Sequence, residues 1–273
     1  MKYNMILTEQ TGFTSTEKVI ANYITTHRED ILQMSIQKLA RETYTSTSAI
    51  MRLCARMGLS GFKEFKIRYA QELSEPADDS TEIDPNFPFS PNDSVGEIAA
   101  QLQKLTMQCL RDARKLLSVS DVRKACSIMK EATHVAIFGV GDAYLAGLTF
   151  QARMMRAGLN MLVTTVYGEQ GYLAENMHRG DCGILLSYSG TTYATIDCAE
   201  KMKQNGVFTI CITAGKDSPL AKISDITLYL PAKEEKFHRI ASFFSQTAME
   251  YYLNVIYSCL YVMDYEKLSK KAI

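Results

Sequence analysis

Downstream of Ser118 the chain alternates short apolar runs with longer segments of helical periodicity. Short apolar runs bounded by turn residues are typical of buried strands, and helices between them are typical of a parallel sheet covered on both faces. The pattern therefore predicts an α/β domain with a five-stranded parallel sheet flanked by helices. The predicted strands are Val135 to Phe138, Met161 to Val166, Gly183 to Leu186, Thr209 to Thr213 and Ile226 to Leu230.

The N-terminal part of the chain has a different pattern, with apolar positions at helical spacing. We expect helices that begin near Ser15, near Ser35 and at Ser46 or Thr47, because serine and threonine are favoured N-caps. Only Thr43 to Thr45 separate the second helix from the third, which leaves room for a tight turn alone. An all-α helix-turn-helix domain is the resulting prediction. The apolar positions are Ile20, Tyr23 and Ile24; then Ile36, Leu39 and Ala40; then Ile50, Leu53, Cys54 and Met57.

The third predicted helix would read DNA through its N-terminal turn. Seven basic residues stand against two acidic ones from Met34 to Gln71, a net charge of plus five, which suits a nucleic-acid surface. A small helical bundle with a docking role is the alternative. The residues expected to contact bases are Ser46, Thr47, Ser48 and Arg52, and those expected to contact phosphates are Lys63 and Lys66.

An acidic, proline-rich stretch separates the two patterns. Four of the six prolines lie between Glu75 and Glu97, where no lysine or arginine occurs, a composition typical of linkers. We therefore predict a helix-turn-helix domain over 1–75, a linker over 76–92 and the α/β domain over 93–273. Asp93 or Ser94 is expected to begin a helix with a single apolar stripe made of Ile98, Leu102, Leu105, Cys109 and Leu116.

Composition narrows the class of protein further. The seven cysteines form no C-x-x-C pair, so they predict reduced thiols in a cytoplasmic protein and neither a disulfide framework nor a metal site. No signal peptide is visible near the N-terminus. The most apolar late stretch, Ile240 to Met263, contains polar residues, which predicts a packed or interface helix and no membrane span. The chain has 30 lysine and arginine residues and 30 aspartate and glutamate residues, so its net charge gives no information about partners.

The segment from Ser187 to Thr192 is the strongest candidate binding site. It follows a predicted buried strand and precedes a helix, so its hydroxyls, the flexible Gly190 and the free amides of the helix start can surround a phosphate without any charge of their own. A turn that merely caps the helix is the alternative. In parallel sheets ligands bind at the carboxyl ends of strands, where the loop from Gly139 to Ala143 also ends a strand.

Other nucleotide and catalytic motifs are absent. The third glycine of G-x-G-x-x-G would fall at Tyr144, and no acidic residue ends the next strand, which argues against NAD. No G-x-x-x-x-G-K-[ST] loop, H-E-x-x-H pair or G-x-S-x-G elbow occurs. We therefore expect no cofactor and no catalytic nucleophile.

The chain as a whole resembles RpiR-type bacterial transcriptional regulators, in which a helix-turn-helix domain precedes a sugar isomerase (SIS) domain. The resemblance implies regulation of sugar or amino-sugar metabolism by a phosphorylated sugar. It also implies that Ser187, Ser189 and Thr192 hold the phosphate. The motifs that carry the resemblance are Ser35 to Ala40, Ser46 to Arg52, Gly58 to Lys66, Gly139 to Gly141, Ser187 to Thr192, and Thr213 with Ser218 to Ala221.

Three residues depart from the family pattern. Ala143 stands where serine is frequent, Thr191 where glutamate is frequent, and Tyr44 where the turn before the DNA-reading helix often has glycine. The full set of expected ligand residues is Gly139, Gly141, Asp142, Ala143, Glu169, Ser187, Tyr188, Ser189, Gly190, Thr191 and Thr192.

An SIS-fold isomerase is the alternative function. Such an enzyme needs a base near the sugar, for which Glu169, His178 and His238 are the candidates. The attached DNA-binding domain favours a sensor, so we expect no enzyme. The expected partners are operator DNA, a phosphorylated sugar and further copies of the chain, as a homodimer or homotetramer. The predicted contact between copies is the last helix, with Phe243, Phe244, Tyr251, Tyr252, Ile256 and Tyr257.

Overall fold

The computed structural model describes residues 2–74, 82–166 and 168–269. The chain divides into two compact units, Met1–Leu105 and Thr106–Ile273. The division falls inside a helix, α7 (Val95–Leu116). Part of the predicted linker, residues 76–81, lies outside the described residues.

The first unit is all α, as predicted, but it has more helices than the three that the pattern indicated. Their apolar faces meet in one core, in which Ile20, Leu39, Ile50 and Phe65 are at most 1% exposed. The helices are α1 (Lys2–Glu9), α2 (Ser15–Thr26), α3 (Arg28–Gln33), α4 (Ile36–Glu42), α5 (Thr47–Arg56), α6 (Phe62–Ser74) and the start of α7.

Local hydrogen bonds explain where these helices begin. Thr14, and not the expected Ser15, caps α2, because Thr14 and Glu17 form a reciprocal capping box. Ser35 caps α4 and Ser46 caps α5 through their side-chain oxygens, as the sequence predicted. Tyr44, in the turn between α4 and α5, adopts a left-handed backbone with φ 52°, so the turn keeps the geometry that glycine usually provides.

The first compact unit extends to Leu105, whereas we expected the helix-turn-helix domain to end at residue 75 and the second domain to begin at residue 93. Ser94 and Glu97 form a capping box at the start of α7, and the Glu97 carboxylate also binds the Arg28 guanidinium. Both side chains are largely buried, at 13% and 5% exposure. The first turns of α7 are therefore attached to the helix-turn-helix unit, which a change in composition could not reveal.

The second unit is built on a five-stranded parallel sheet of order β2-β1-β3-β4-β5. Because β1 has β2 on one side and β3 on the other, the direction of winding reverses between β1 and β3, where ligands bind in such sheets. The strands are β1 (Val135–Gly139), β2 (Met161–Leu162), β3 (Cys182–Leu186), β4 (Phe208–Thr213) and β5 (Ile226–Tyr229). The helices that follow α7 are α8 (Val119–Glu131), α9 (Asp142–Arg156), α10 (Gln170–Glu175), α11 (Tyr193–Gln204), α12 (Pro219–Ile223), α13 (Phe243–Met263) and α14 (Tyr265–Ser269).

One strand differs clearly from its prediction. β2 ends at Leu162, whereas the apolar run suggested a strand as far as Val166. Residues 163–166 form no strand pairs with β1, and the carbonyl of Thr164 accepts a hydrogen bond from the Tyr144 hydroxyl at 2.7 Å. Periodicity alone could not distinguish this connecting segment from a strand.

Helix α13 packs mainly within its own unit. Phe244, Tyr252 and Ile256, which the sequence placed at a contact between copies, are at most 1% exposed. The Tyr252 hydroxyl lies 2.7 Å from the Tyr229 carbonyl oxygen. These three side chains therefore fill the core of the chain itself.

The described residues contain neither a cluster of side chains suited to a metal ion nor a helix long and apolar enough to span a membrane. Six of the seven cysteines are buried and Cys259 is half-buried, all as free thiols.

Candidate functional site

The segment 187–192, here called the hydroxyl loop, connects β3 to α11 at the carboxyl edge of the sheet. Its hydroxyls pair with one another, since Ser187 Oγ lies 2.9 Å from Thr192 Oγ1 and Ser189 Oγ lies 2.9 Å from Thr191 Oγ1. Thr192 occupies the N-cap position of α11 but its side chain accepts no hydrogen bond from the helix. The Thr192 hydroxyl therefore does not cap α11. The backbone amides at the start of α11 can still bind an anion.

Two glycines allow the hydroxyl loop to lie against the loop after β4. Gly190 has φ +65°, and a Cβ there would lie 2.1 Å from Ser218 Oγ and 2.8 Å from Thr213 Oγ1. A Cβ on Gly215 would lie 2.5 Å from the Ser189 carbonyl oxygen. The Thr213 hydroxyl in turn donates to the Tyr188 carbonyl at 3.1 Å. The resemblance motifs at Thr213 and Ser218 therefore support the hydroxyl loop from below.

A cavity of about 480 Å³ opens above the hydroxyl loop. Its size suits a sugar phosphate, since pockets for small molecules typically span roughly 300–1,000 Å³. Three sides of the second unit line it: the hydroxyl loop, the start of α9, and a segment that leads into α13. The lining residues include Gly141, Asp142, Ala143, Ser187, Tyr188, Ser189, Thr192, Gly215, Glu234, Lys236, Arg239, Ser242, Ser245, Gln246 and Met249.

The segment 231–242, here called the strap, closes one side of this cavity and is held by Tyr188. The Tyr188 hydroxyl donates to the Pro231 carbonyl at 2.8 Å and accepts from the amides of Lys233 and Glu234 at 3.0 and 3.1 Å. Burial raises the pKa of the Tyr188 phenol, which keeps the proton that this donation requires. A residue expected to touch the ligand is therefore also the anchor of the strap.

The strap is also tied to α13 through Glu234, whose side chain is fully buried. Its carboxylate accepts from the Phe244 amide at 2.6 Å and from the Ser245 hydroxyl at 2.5 Å, and it pairs with Arg239 at 3.2 Å. Hydrogen bonds in which one partner is ionised are stronger than those between neutral groups. Glu234 therefore fixes the strap to the start of α13.

The strap gives the cavity cationic groups that the sequence analysis missed. Lys236 Nζ lies 3.3 Å from Thr191 Oγ1, at the edge of the hydroxyl loop, and Arg239 lines the cavity. The site is thus not the uncharged one that we expected. A signal existed in the sequence, because the charged run from Lys233 to Arg239 follows the last strand and so belongs to the same edge of the sheet.

Several predicted ligand residues lie elsewhere. Gly139 is buried, and its amide and carbonyl both bind the Gln170 side chain; it lines a second cavity of about 720 Å³ between the start of α9, α10 and α11. Gly190 supports the hydroxyl loop from within, and Thr191 lies exposed at its outer edge. Glu169 is exposed and lines neither cavity.

The candidate bases of an isomerase are not brought to the hydroxyl loop. Like Glu169, the exposed His178 and His238 are absent from the lining of both cavities. A base must lie within hydrogen-bond reach of the proton that it removes. Within the described part of the second unit, these residues therefore form no catalytic arrangement with the hydroxyl loop.

On the first unit, the predicted DNA-reading residues lie at the start of α5. Ser46, Thr47, Ser48 and Arg52 are exposed, and Ser46 also caps the helix by accepting from the Ala49 amide at 3.2 Å. Their exposure leaves Thr47, Ser48 and Arg52 accessible to a groove of DNA.

The two predicted phosphate contacts differ from each other. Lys63 is exposed, whereas the Lys66 ammonium donates to the carbonyls of Leu32 and Met34 at 3.2 and 3.0 Å and lies 5.7 Å from the centre of the Phe62 ring. Lys66 therefore connects α6 to the end of α3, whereas we had expected it to contact a DNA phosphate. Arg56 is likewise engaged, with Glu17 and the Gly12 carbonyl.

Comparison with known proteins gives two family matches. The model of the helix-turn-helix domain of the rpiR family matches residues 2–76, and the model of the SIS domain matches residues 128–257. An uncharacterized HTH-type transcriptional regulator of Caldanaerobacter subterraneus subsp. tengcongensis is 27% identical over 228 residues, which cover 83% of this chain and 78% of that protein. One from Clostridium perfringens is 26% identical over 245 residues, 90% of this chain and 86% of that protein.

Solved structures share the fold. The NanR protein of Vibrio vulnificus, complexed with ManNAc-6P, has a TM-score of 0.59 at 22% identity and covers 98% of this chain and 94% of its own. The sugar isomerase domain of an RpiR transcription factor from Sphaerobacter thermophilus has a TM-score of 0.56 at 17% identity, covering 64% of this chain and 95% of its own. Because a helix-turn-helix domain of the rpiR family and an SIS domain follow one another in a single chain, this protein belongs to the RpiR-type transcriptional regulators and is a regulator rather than an enzyme.

Proposed function

We propose that this protein is a sequence-specific DNA-binding regulator of sugar or amino-sugar metabolism in the cytoplasm, and that a phosphorylated sugar bound above the hydroxyl loop controls it. The observation that carries the proposal is the hydroxyl loop at the base of a 480 Å³ cavity, at the carboxyl edge of the sheet, with an ammonium group beside it.

The phosphate belongs at the hydroxyl loop. Ser187, Ser189 and Thr192 line the cavity, and their paired hydroxyls can turn to donate to phosphate oxygens. The uncapped start of α11 and the Lys236 ammonium favour a dianion there. The NanR protein, which shares the fold, binds a sugar phosphate, and this supports the same class of ligand here.

The sugar belongs between the start of α9 and α13. Asp142, Ser242 and Gln246 line that part of the cavity and offer groups that can bind sugar hydroxyls. Ala143 contributes no hydroxyl where the family often has serine, so the side chains of the strap and α13 must determine which sugar binds.

The ligand can be identified by thermal shift of the full chain against phosphorylated hexoses and amino sugars, including ManNAc-6P, followed by calorimetry on each hit. A ligand that binds the folded state raises the melting temperature by mass action. Ser189→Ala should weaken the binding of a hit about tenfold, because a hydrogen bond to a charged group contributes about 1.5 kcal/mol.

Ser258→Ala is the matched control, since it removes an exposed hydroxyl of α13 that donates to the Asn254 carbonyl away from the cavity. Equal affinities of Ser189→Ala and Ser258→Ala would count against the phosphate position. Absence of any sugar-phosphate hit would count against the proposed effector class.

We further propose that α5 reads the operator through Thr47, Ser48 and Arg52, with Lys63 on a phosphate. Arg52→Ala should relax sequence preference, because a base contact contributes about 1–3 kcal/mol of discrimination. Lys63→Ala should weaken binding uniformly and reduce the salt slope by about 1. Binding of selected and scrambled duplexes across a salt series measures both effects, and an Arg52→Ala variant with unchanged preference would move recognition elsewhere.

A further inference from the structure

Tyr44 has an unusual backbone for its residue type. Its φ of 52° lies in the left-handed region, which among the described non-glycine residues only Gln10 shares. The conformation is set by the turn, in which the Tyr44 amide donates to the Arg41 carbonyl at 3.2 Å and the Thr45 amide donates to the Ala40 carbonyl at 2.9 Å. Glycine would adopt it without the steric cost that a Cβ brings. A tyrosine here is therefore destabilising unless its side chain contributes elsewhere.

The side chain makes no such contribution inside the described chain. Tyr44 is 98% exposed, more than any other large apolar side chain in the described residues. An aromatic ring in water adds almost no burial to the fold. The gain that offsets the strained backbone must then come from a partner outside the chain.

The position of Tyr44 indicates which partner. It stands two residues before Ser46, the N-cap of α5, so it borders the helix turn that carries Thr47 and Ser48. The exposed cations Lys38 and Arg41 lie on the preceding helix, α4. When a recognition helix enters the major groove by its N-terminal turn, the residues just before it lie beside the strand that borders the groove.

We propose that Tyr44 contacts the sugar-phosphate backbone of duplex DNA, with its hydroxyl donating to a phosphate oxygen and its ring packed on the adjoining deoxyribose. This inference rests on the proposed DNA binding by α5. A tyrosine hydroxyl is among the groups that position proteins on the DNA backbone, and the ring supplies apolar area that the fold leaves unused.

The test compares Tyr44→Gly, Tyr44→Phe and wild type for stability and for DNA affinity. Tyr44→Gly should raise the urea midpoint, because it removes the strained Cβ, while it lowers DNA affinity about tenfold. Tyr44→Phe keeps the ring and should show a smaller loss of affinity with no change in the midpoint. The probes are a duplex selected by the wild-type protein from a randomised pool and a scrambled duplex of equal length; because a backbone contact carries no sequence information, both affinities should fall by the same factor.

Gln10→Gly is the matched control, since Gln10 has the same φ but follows α1, away from α5; its DNA affinity should equal that of wild type. Wild-type affinity of Tyr44→Gly for both duplexes would overturn the inference and leave the proposed function intact. A loss on the selected duplex alone would overturn the backbone assignment. If wild type bound no duplex, the proposed function and this inference would both fail.

Discussion

At the scale of single residues, the hydroxyl loop depends on a position where both conformation and space exclude a side chain. Gly190 needs a left-handed backbone, and a Cβ there would overlap the Ser218 hydroxyl. The conformation alone would be tolerable, because an alanine at positive φ costs about 1–2 kcal/mol. Together they leave no room for adjustment without moving the loop after β4.

Gly190→Ala should therefore destabilise the second unit by more than Gly206→Ala and should abolish sugar-phosphate binding. Gly206 has a similar φ, +71°, but a Cβ there would meet only ordinary contacts, at 3.6 Å or more. The difference between the unfolding free energies of the two variants, measured by urea denaturation, gives the destabilisation caused by steric overlap alone, because both glycines have a similar φ. Equal losses of stability would mean that the hydroxyl loop moves aside at little cost.

Glu17 gives a pH-dependent prediction at the same scale. Hydrogen bonds from Thr14, together with the Arg56 guanidinium, lower the pKa of the Glu17 carboxyl from its ordinary value in the folded state, against the opposing effect of burial. A carboxyl with a depressed folded pKa stabilises the fold above its unfolded pKa, and this contribution disappears as the pH falls through the folded value.

Glu17→Gln should accordingly lower the unfolding free energy by about 1 kcal/mol at neutral pH, and the difference from wild type should vanish once the pH is below the folded pKa of Glu17. Urea denaturation at a series of pH values measures it. A difference that is constant with pH would indicate lost packing instead of lost charge.

At the scale of elements, the strap is the part that joins the proposed ligand site to α13. One end is held by three hydrogen bonds of the Tyr188 hydroxyl and the other by the Glu234 carboxylate at the start of α13. Because Tyr188 itself belongs to the hydroxyl loop, we expect a ligand that binds this loop to restrict the strap as well.

Tyr188→Phe removes the hydroxyl and leaves the amides of Lys233 and Glu234 without their acceptor. It should destabilise the second unit by about 1–3 kcal/mol and weaken sugar-phosphate binding through the loss of an ordered strap. Hydrogen exchange of residues 233 and 234 should accelerate, while that of the β3 amides should not. Unchanged exchange in the strap would show that Glu234 alone holds it in place.

At the scale of the whole molecule, an effector controls a regulator only through a difference in affinity between two states. Such coupling typically amounts to about 1–3 kcal/mol, or a factor of about 5–150. The coupling is reciprocal by thermodynamic necessity. For the proposed regulation, the factor by which the sugar phosphate changes operator affinity must therefore equal the factor by which operator DNA changes sugar-phosphate affinity.

We expect calorimetry of the effector with and without a saturating selected duplex to show this factor, in agreement with duplex titrations with and without the effector. If the effector bound with equal affinity in the presence and absence of the duplex, DNA binding and effector binding would be uncoupled. That result would contradict regulation by this ligand.

Association of copies is also a whole-molecule property. We propose that two copies pair their DNA-reading helices, which requires at least a dimer, so light scattering should give at least twice the chain mass of 30.6 kDa. Since Phe244, Tyr252 and Ile256 fill the core of their own chain, substituting them would unfold the second unit and would not test association. A mass of one chain at micromolar concentration would contradict a dimer.

Local signals in the sequence determined much of this protein. Alternating apolar runs and helical segments predicted five parallel strands, and four of them lie within a residue or so of their predicted bounds. Ser35 and Ser46 predicted the starts of the two helices around the tight turn. These features depend on periods and caps that act over a few residues, so the order of the residues is sufficient to specify them.

The tertiary structure decided the features that depend on distant partners. It gave Lys66 two carbonyl acceptors at the end of α3, placed Glu169 outside the two cavities, and joined the start of α7 to the first unit through Arg28. It also brought Pro231 of the strap, 43 residues beyond Tyr188 in the sequence, against the Tyr188 hydroxyl. Charge and hydroxyl content show what a side chain can bind, but only the folded chain fixes which groups come within hydrogen-bond distance, because that distance depends on packing and not on sequence separation.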